Sequence, residues 1–120
     1  MSSNKKNLNN IDLKSSKAKI ALYICTVKNC DHIVQNQKDW LMRFINQQGY
    51  TNYRFYIDKG TTNKRTLYKP AMINLISDIS TQNIDIVVVV SMNQISSNIN
   101  DIREWMDIVS EYNVQCISLI

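Results

Sequence analysis

Glycine and proline are scarce in this sequence, with two glycines and one proline among 120 residues. No glycine follows the first strand-like segment, where Thr26 to Asp31 stand, so neither a P-loop nor a dinucleotide-binding turn is present. The paired acids with which a receiver domain holds magnesium are missing there too. One histidine, His32, leaves no Ser-His-acid set to assemble, and it reads as a surface residue at a helix start. Cysteines number three (Cys25, Cys30, Cys116), an odd count with no export signal, so reduced thiols are expected. Cys25-x4-Cys30 followed by His32 fits no standard zinc spacing, and no metal or cofactor is predicted. No apolar run approaches the roughly 20 residues that span a bilayer. The longest, Ile86 to Val90, has the length of a strand. The polar, Asn/Lys-rich start is not a secretory signal, and a cytoplasmic protein without a membrane partner is the expectation.

What remains is an ordinary globular balance, 44% hydrophobic and 20% charged, in a chain sized for a single core. The formal charge is +4. Residues 1–17 hold Lys5, Lys6, Lys14 and Lys17 against Asp12 alone, so +3 of it lies there. That stretch lacks hydrophobic periodicity and is expected to be a flexible basic leader, with the folded domain over residues 18–120. Charge by itself does not make this a DNA-binding protein.

Along the domain the apolar period switches repeatedly. Ile20 to Val27 is a nearly continuous apolar run, as in a buried parallel strand. From His32, Ile33, Trp40, Leu41, Phe44 and Ile45 recur at helical spacing, and Gly49 is a natural stop. Tyr53 to Ile57 forms a second strand, followed by a polar loop from Lys59 to Thr66. Pro70 opens a second helix that carries Met72, Ile73, Leu75, Ile76 and Ile79. Ile84 to Val90 is the third and most buried strand. Asn98 or Asn100 caps a third helix running to Tyr112, with Ile102, Trp105, Met106, Ile108 and Val109 facing in. Val114 to Ile120 is a fourth strand. The order βαβαβαβ predicts an α/β fold: a mainly parallel four-stranded sheet with right-handed crossovers and helices on both faces, three layers in all.

Sites in such sheets lie outside the carboxyl ends of the strands. The segments there, taken in order, resemble the catalytic domain of resolvase/invertase-type serine recombinases. Tyr23-Ile24-Cys25-Thr26-Val27 lies where that family carries Tyr-x-Arg-x-Ser. Gln37-x-x-x-Leu41 and Asn46-Gln47-Gln48-Gly49-Tyr50 match the body and end of its first helix. Ile57-Asp58-Lys59-Gly60 and Lys69-Pro70-Ala71-Met72 are similar to its Asp-x-Gly loop and Arg-Pro helix start. Asn93-Gln94-Ile95-Ser96-Ser97-Asn98 sits where the family has Asp-Arg-Leu-Ser-Arg-Asn. The third strand, Ile84 to Val90, and the fourth, Val114 to Ser118, resemble their family counterparts. The match runs over about residues 18–120.

The resemblance implies a mechanism in which a serine hydroxyl attacks a DNA phosphodiester and arginines hold the developing charge. The departures fall on those groups. Val27 occupies the nucleophile position, Cys25 the first-strand arginine, Gln94 and Ser97 the two loop arginines, Asn93 the loop acid, and Lys69 the arginine before proline. Loss of a nucleophile costs on the order of 10⁶ in rate, and each lost charge-stabilising donor roughly 3–4 kcal/mol. A catalytically inactive domain is therefore predicted. Tyr23, Gln37, Asp58, Gly60, Pro70, Ser96 and Asn98 survive, mostly as scaffold. Thr26 offers a hydroxyl, but one step along a strand turns it to the opposite face. Cys25 offers a thiol, with no base or cationic cluster evident beside it. Arg65 reads either as a replacement for a lost arginine or as a surface charge of the loop. Lys69, Arg65 and Gln37 are the DNA-contact candidates.

Family members continue past the fourth strand into further catalytic residues, a dimerising helix and often a DNA-binding domain. No such sequence follows Ile120, and the domain is expected to be truncated there. Three functions fit. One is a non-cleaving recombinase domain tied to mobile DNA, with DNA, an active recombinase or its own copy as partner. Another is a protein-interaction module with no DNA role, and the third an atypical active recombinase.

Overall fold

The computed structural model describes residues 17–60 and 65–120. The expected leader therefore lies outside the described residues except for Lys17, as does the 61–64 stretch of the polar loop. Strand β1 (Lys19–Thr26) is followed by α1 (Asp31–Gln48), β2 (Asn52–Lys59) and a 3-10 turn (Thr66–Tyr68). Then come α2 (Pro70–Ser80), β3 (Ile86–Val89), a second 3-10 turn (Met92–Gln94), α3 (Ile99–Glu111) and β4 (Gln115–Ser118).

Every strand pairing is parallel, in the order β2-β1-β3-β4. The apolar runs account for this, since a parallel sheet is covered on both faces and needs side chains that tolerate burial on either. On one face Ile20, Leu22, Ile24, Ile86 and Val88 pack against Leu41 and Ile45 of α1. On the other, Ala21, Tyr23, Val87 and Val89 meet Met72, Leu75 and Ile79 of α2 and Trp105 and Val109 of α3. Fully burying each of these Leu, Ile or Met side chains contributes about 1.5–3 kcal/mol.

Helix punctuation follows local chemistry. Gly49 ends α1 in the left-handed region at φ 75°, its N–H on the Asn46 carbonyl. Pro70 is the first residue of α2, and Asn98, not Asn100, caps α3 by accepting the Asn100 N–H. Three expected core residues point outward instead: Trp40 is 45% exposed, and Ile73 and Met106 are exposed as well. Each has a sequence neighbour that takes the inward position (Leu41, Met72 and Trp105), and a turn of about 100° per residue leaves no room for both.

Strands β1 and β3 do not part company at the same level. Their register runs only from Ile20 opposite Ile86 to Leu22 opposite Val88, while β1 stays paired with β2 as far as Thr26 opposite Lys59. The last four residues of β1 thus overhang the sheet on the β3 side. This is where the connections leave the sheet toward opposite faces, and the cleft opens there.

Candidate functional site

An open cleft of about 420 Å³ lies at this end, with Cys25 and Val27 on one wall and Asn93, Gln94, Ser96 and Ser97 on another. Lys69, Arg65 and Asp101 complete it. The fold thus brings together all six positions at which the sequence departs from the recombinase pattern, with Arg65 beside them.

Asp58 ties together the elements that carry the cleft. It is buried at the end of β2 and accepts the Tyr23 hydroxyl at 2.8 Å. It also takes the backbone N–H groups of Ala71 at 2.8 Å and Met72 at 3.0 Å. A carboxylate on these first N–H groups satisfies donors that an α-helix leaves free and complements its dipole. Burial, followed by the neighbouring Cys25 and Asp58, pushes the Tyr23 hydroxyl far above the ordinary phenol range, so it stays a donor. Gly60, at φ 73°, gives its N–H to the Thr26 carbonyl at 2.9 Å. A Cβ there would come within 3.1 Å of Asn29 Cβ.

The wall carrying Asn93 to Ser97 is braced by its own side chains. Ser91 Oγ accepts the Asn93 N–H, and Ser96 Oγ accepts the Asn98 N–H while donating to Asp101. Gln94 Oε1 accepts the Cys25 N–H at 2.7 Å. That bond serves a donor on the overhanging part of β1, where no β3 carbonyl reaches. Of the seven positions expected to keep the family pattern, Tyr23, Asp58, Gly60, Pro70, Ser96 and Asn98 belong to this frame, and Gln37 does not.

The departures differ in placement. Val27 stands at the rim, 64% exposed, with no hydroxyl to offer. Asn93 and Ser97 are exposed, and Gln94 is half-buried. Thr26 is buried on the other face of the strand and donates to the Lys28 carbonyl at 2.9 Å. Lys69 is turned inward, 5% exposed, with its Nζ 3.3 Å from Cys25 Sγ. Residue spacing gave no hint of this cation beside the thiol. Arg65 pairs with Asp101, reaches Glu104 at 3.4 Å and lies 5.1 Å from the centre of the Tyr68 ring. Asp101, in the first turn of α3, was not singled out from the sequence, because its partner Arg65 lies 36 residues away and meets it only in the fold.

Gln37 belongs to a neighbouring notch of about 340 Å³, with Ile33, Lys28 and the far side of Val27. Its Oε1 is buried without a hydrogen-bond partner among the described residues. His32 is exposed, and among the described residues no three His, Cys, Asp or Glu side chains gather as a metal site. Also among the described residues, no helix is long and apolar enough to cross a membrane.

The cleft therefore presents amides, hydroxyls and a thiol, one cation bound to sulfur and one bound to carboxylates. It can position a polar ligand, but no serine or threonine hydroxyl stands at the Val27 position. Comparison with known proteins places this arrangement. Residues 20–120 match the family model "Resolvase, N terminal domain". The N-terminal catalytic domain of TP901-1 integrase superposes with a TM-score of 0.74 at 24% identity, covering 84% of this chain and 77% of that one. A resolvase family site-specific recombinase from Streptococcus pneumoniae gives 0.68 at 21% identity, covering 86% and 72%. The C-terminal catalytic domain of ISC1926 TnpA, an IS607-like serine recombinase, gives 0.67 at 11% identity, covering 85% and 67%. No curated protein sequence matches.

Proposed function

This chain belongs to the resolvase N-terminal domain family, and we propose from that premise that it is a serine-recombinase domain that no longer cuts DNA. The observation that carries this reading is Val27. It stands exposed on the rim of the cleft, at the position where the family resemblance sets the nucleophilic serine, and it has no hydroxyl.

The charge arrangement supports the same reading. A phosphodiester under attack needs cations free to meet its oxygens. Arg65 is held by Asp101 and Glu104, and Lys69, on Cys25 Sγ, offers a single ammonium without the bidentate fork of an arginine. Asp58, which keeps the family's place, caps a helix here and braces Tyr23. The domain keeps the frame and has lost the reacting groups. Its role is then that of a non-cleaving partner in a system of mobile DNA, beside DNA or an active recombinase.

Supercoiled plasmid tests this, scored for nicking and for a protein–DNA adduct that survives denaturation. Neither the natural chain nor Val27→Ser is expected to give either product. An adduct formed by Val27→Ser alone overturns the account in which several groups are lost together. DNA retention that weakens steeply with salt supports a continuing DNA role through phosphate contacts. Its absence favours a protein-interaction module on the same frame.

A further inference from the structure

The cleft joins two features that its recombinase ancestry does not account for. Lys69 is an ammonium nine-tenths buried, and its hydrogen-bond partner is Cys25 Sγ at 3.3 Å. The ion pairs among the described residues join Arg54 to Asp78, Lys59 to Asp31 and Arg65 to Asp101 and Glu104, leaving Lys69 without a carboxylate. A buried cation without an anion is costly, and this one lines an open cleft. The same cleft is lined by Cys25, a half-buried residue. Opposite lie Asn93, Gln94, Ser96 and Ser97, whose amides and hydroxyls suit a peptide-like ligand. An anion for the lysine and a partner for the sulfur can come in one molecule.

We propose that Cys25 is a site of thiol–disulfide exchange with a small anionic disulfide, one of whose carboxylates Lys69 draws into the cleft. In the exchange the Cys25 sulfur attacks one sulfur of the incoming disulfide. A new S–S bond forms as the old one breaks, and the departing thiolate takes up the proton that Cys25 gives up. Cys25 is oxidised and the leaving half reduced, with no further reagent. Lys69 Nζ lies 3.3 Å from the attacking sulfur, where it can hold a carboxylate of the incoming disulfide close to the reacting bond. The other thiols lack this setting. Cys116 is pushed up by burial and receives the Trp105 Nε1–H at 3.4 Å. Cys30, at the start of α1, has no ammonium hydrogen-bonded to it among the described residues. Exchange at Cys25 uses the same cleft as the proposed function but does not depend on it, since its readout is an adduct on protein and not a cut in DNA.

The test treats the full chain with glutathione disulfide, and in parallel with the neutral bis(2-hydroxyethyl) disulfide, mapping adducts by peptide mass. Cys25 is expected to react with glutathione disulfide about tenfold faster than Cys30 or Cys116, and dithiothreitol to reverse it. Lys69→Met, with its fold checked by circular dichroism, is expected to slow Cys25 about tenfold with glutathione disulfide and much less with the neutral reagent. Equal rates at Cys25 and Cys30, or an unchanged rate in Lys69→Met, overturn the proposal. Should that variant not fold, salt decides. Added salt must slow the glutathione reaction at Cys25 more than the neutral one, and an equal response overturns the role of Lys69.

Discussion

Tyr23 and Asp58 lie 35 residues apart in sequence and meet through a buried 2.8 Å hydrogen bond, the hydroxyl donating to the carboxylate. The same carboxylate starts helix α2 by accepting two of its first N–H groups. One side chain therefore ties β1, β2 and α2 together. Asp58→Ala removes a helix cap and strands a buried hydroxyl, and should destabilise the domain by about 2–4 kcal/mol. Tyr23→Phe leaves both backbone bonds in place and should cost only about 1 kcal/mol. Urea unfolding compares the two through their midpoints at constant slope.

The two glycines are expected to respond unequally to alanine. Both hold left-handed backbone, at φ 75° for Gly49 and 73° for Gly60. A Cβ on Gly49 meets nothing within 4 Å, so Gly49→Ala should cost about 1 kcal/mol of backbone strain. On Gly60 it presses on Asn29 Cβ at 3.1 Å, and Gly60→Ala should cost about 2 kcal/mol. Adding Asn29→Gly to Gly60→Ala should recover part of that loss, and thermal or urea unfolding of the double mutant measures how much.

Alkaline titration should pick out Tyr56. Burial, with the bond its hydroxyl donates to Asp78 at 2.6 Å, pushes this phenol up to about 12 from an ordinary 10.0. The folded state holds the proton more tightly than the unfolded one. The stability it contributes is therefore full below pH 10 and lost as pH rises toward 12. Tyr56→Phe should flatten the fall of stability across that window, as followed by urea midpoints from pH 9 to 12.

The tryptophans should separate cleanly. Trp105→Ala opens a cavity in the α2/α3 face of the core and should cost about 3–5 kcal/mol. Trp40→Ala, on the outer side of α1, should change stability by about 0.5 kcal/mol. Equal losses in calorimetry would mean that Trp40 packs inward, as its helical spacing suggested.

That contrast marks what sequence can reveal here. The strands were legible because a parallel sheet demands unbroken apolar runs, and Ile20 to Ile24 and Ile86 to Val90 are buried throughout. Pro70 and Gly49 stated helix ends in their own chemistry, and Asn98 was one of two candidate caps, with Asn100. The orientation of adjacent apolar pairs such as Trp40–Leu41 was not legible, because periodicity admits a wider stripe than one sheet face can cover. The site divides the same way. Cys25, Val27, Lys69, Asn93, Gln94 and Ser97 were placed by their order along the family pattern, and the fold gathers them into one cleft. The approach of Lys69 to Cys25 spans 44 residues and depends on Asp58 anchoring the start of α2. No local signal announces it.

The bond from the Cys25 N–H to Gln94 Oε1 bears on how this chain could change over evolutionary time. The family resemblance sets an arginine at residue 94, and an arginine has donors only. Glutamine there supplies the acceptor that the overhanging end of β1 lacks from β3. Returning position 94 to arginine would restore a positive charge while orphaning a strand N–H, a loss of about 1–3 kcal/mol. The substitution acts as a ratchet: once the strand end leans on the glutamine, a change to arginine at 94 lowers stability at once, whatever it does for charge.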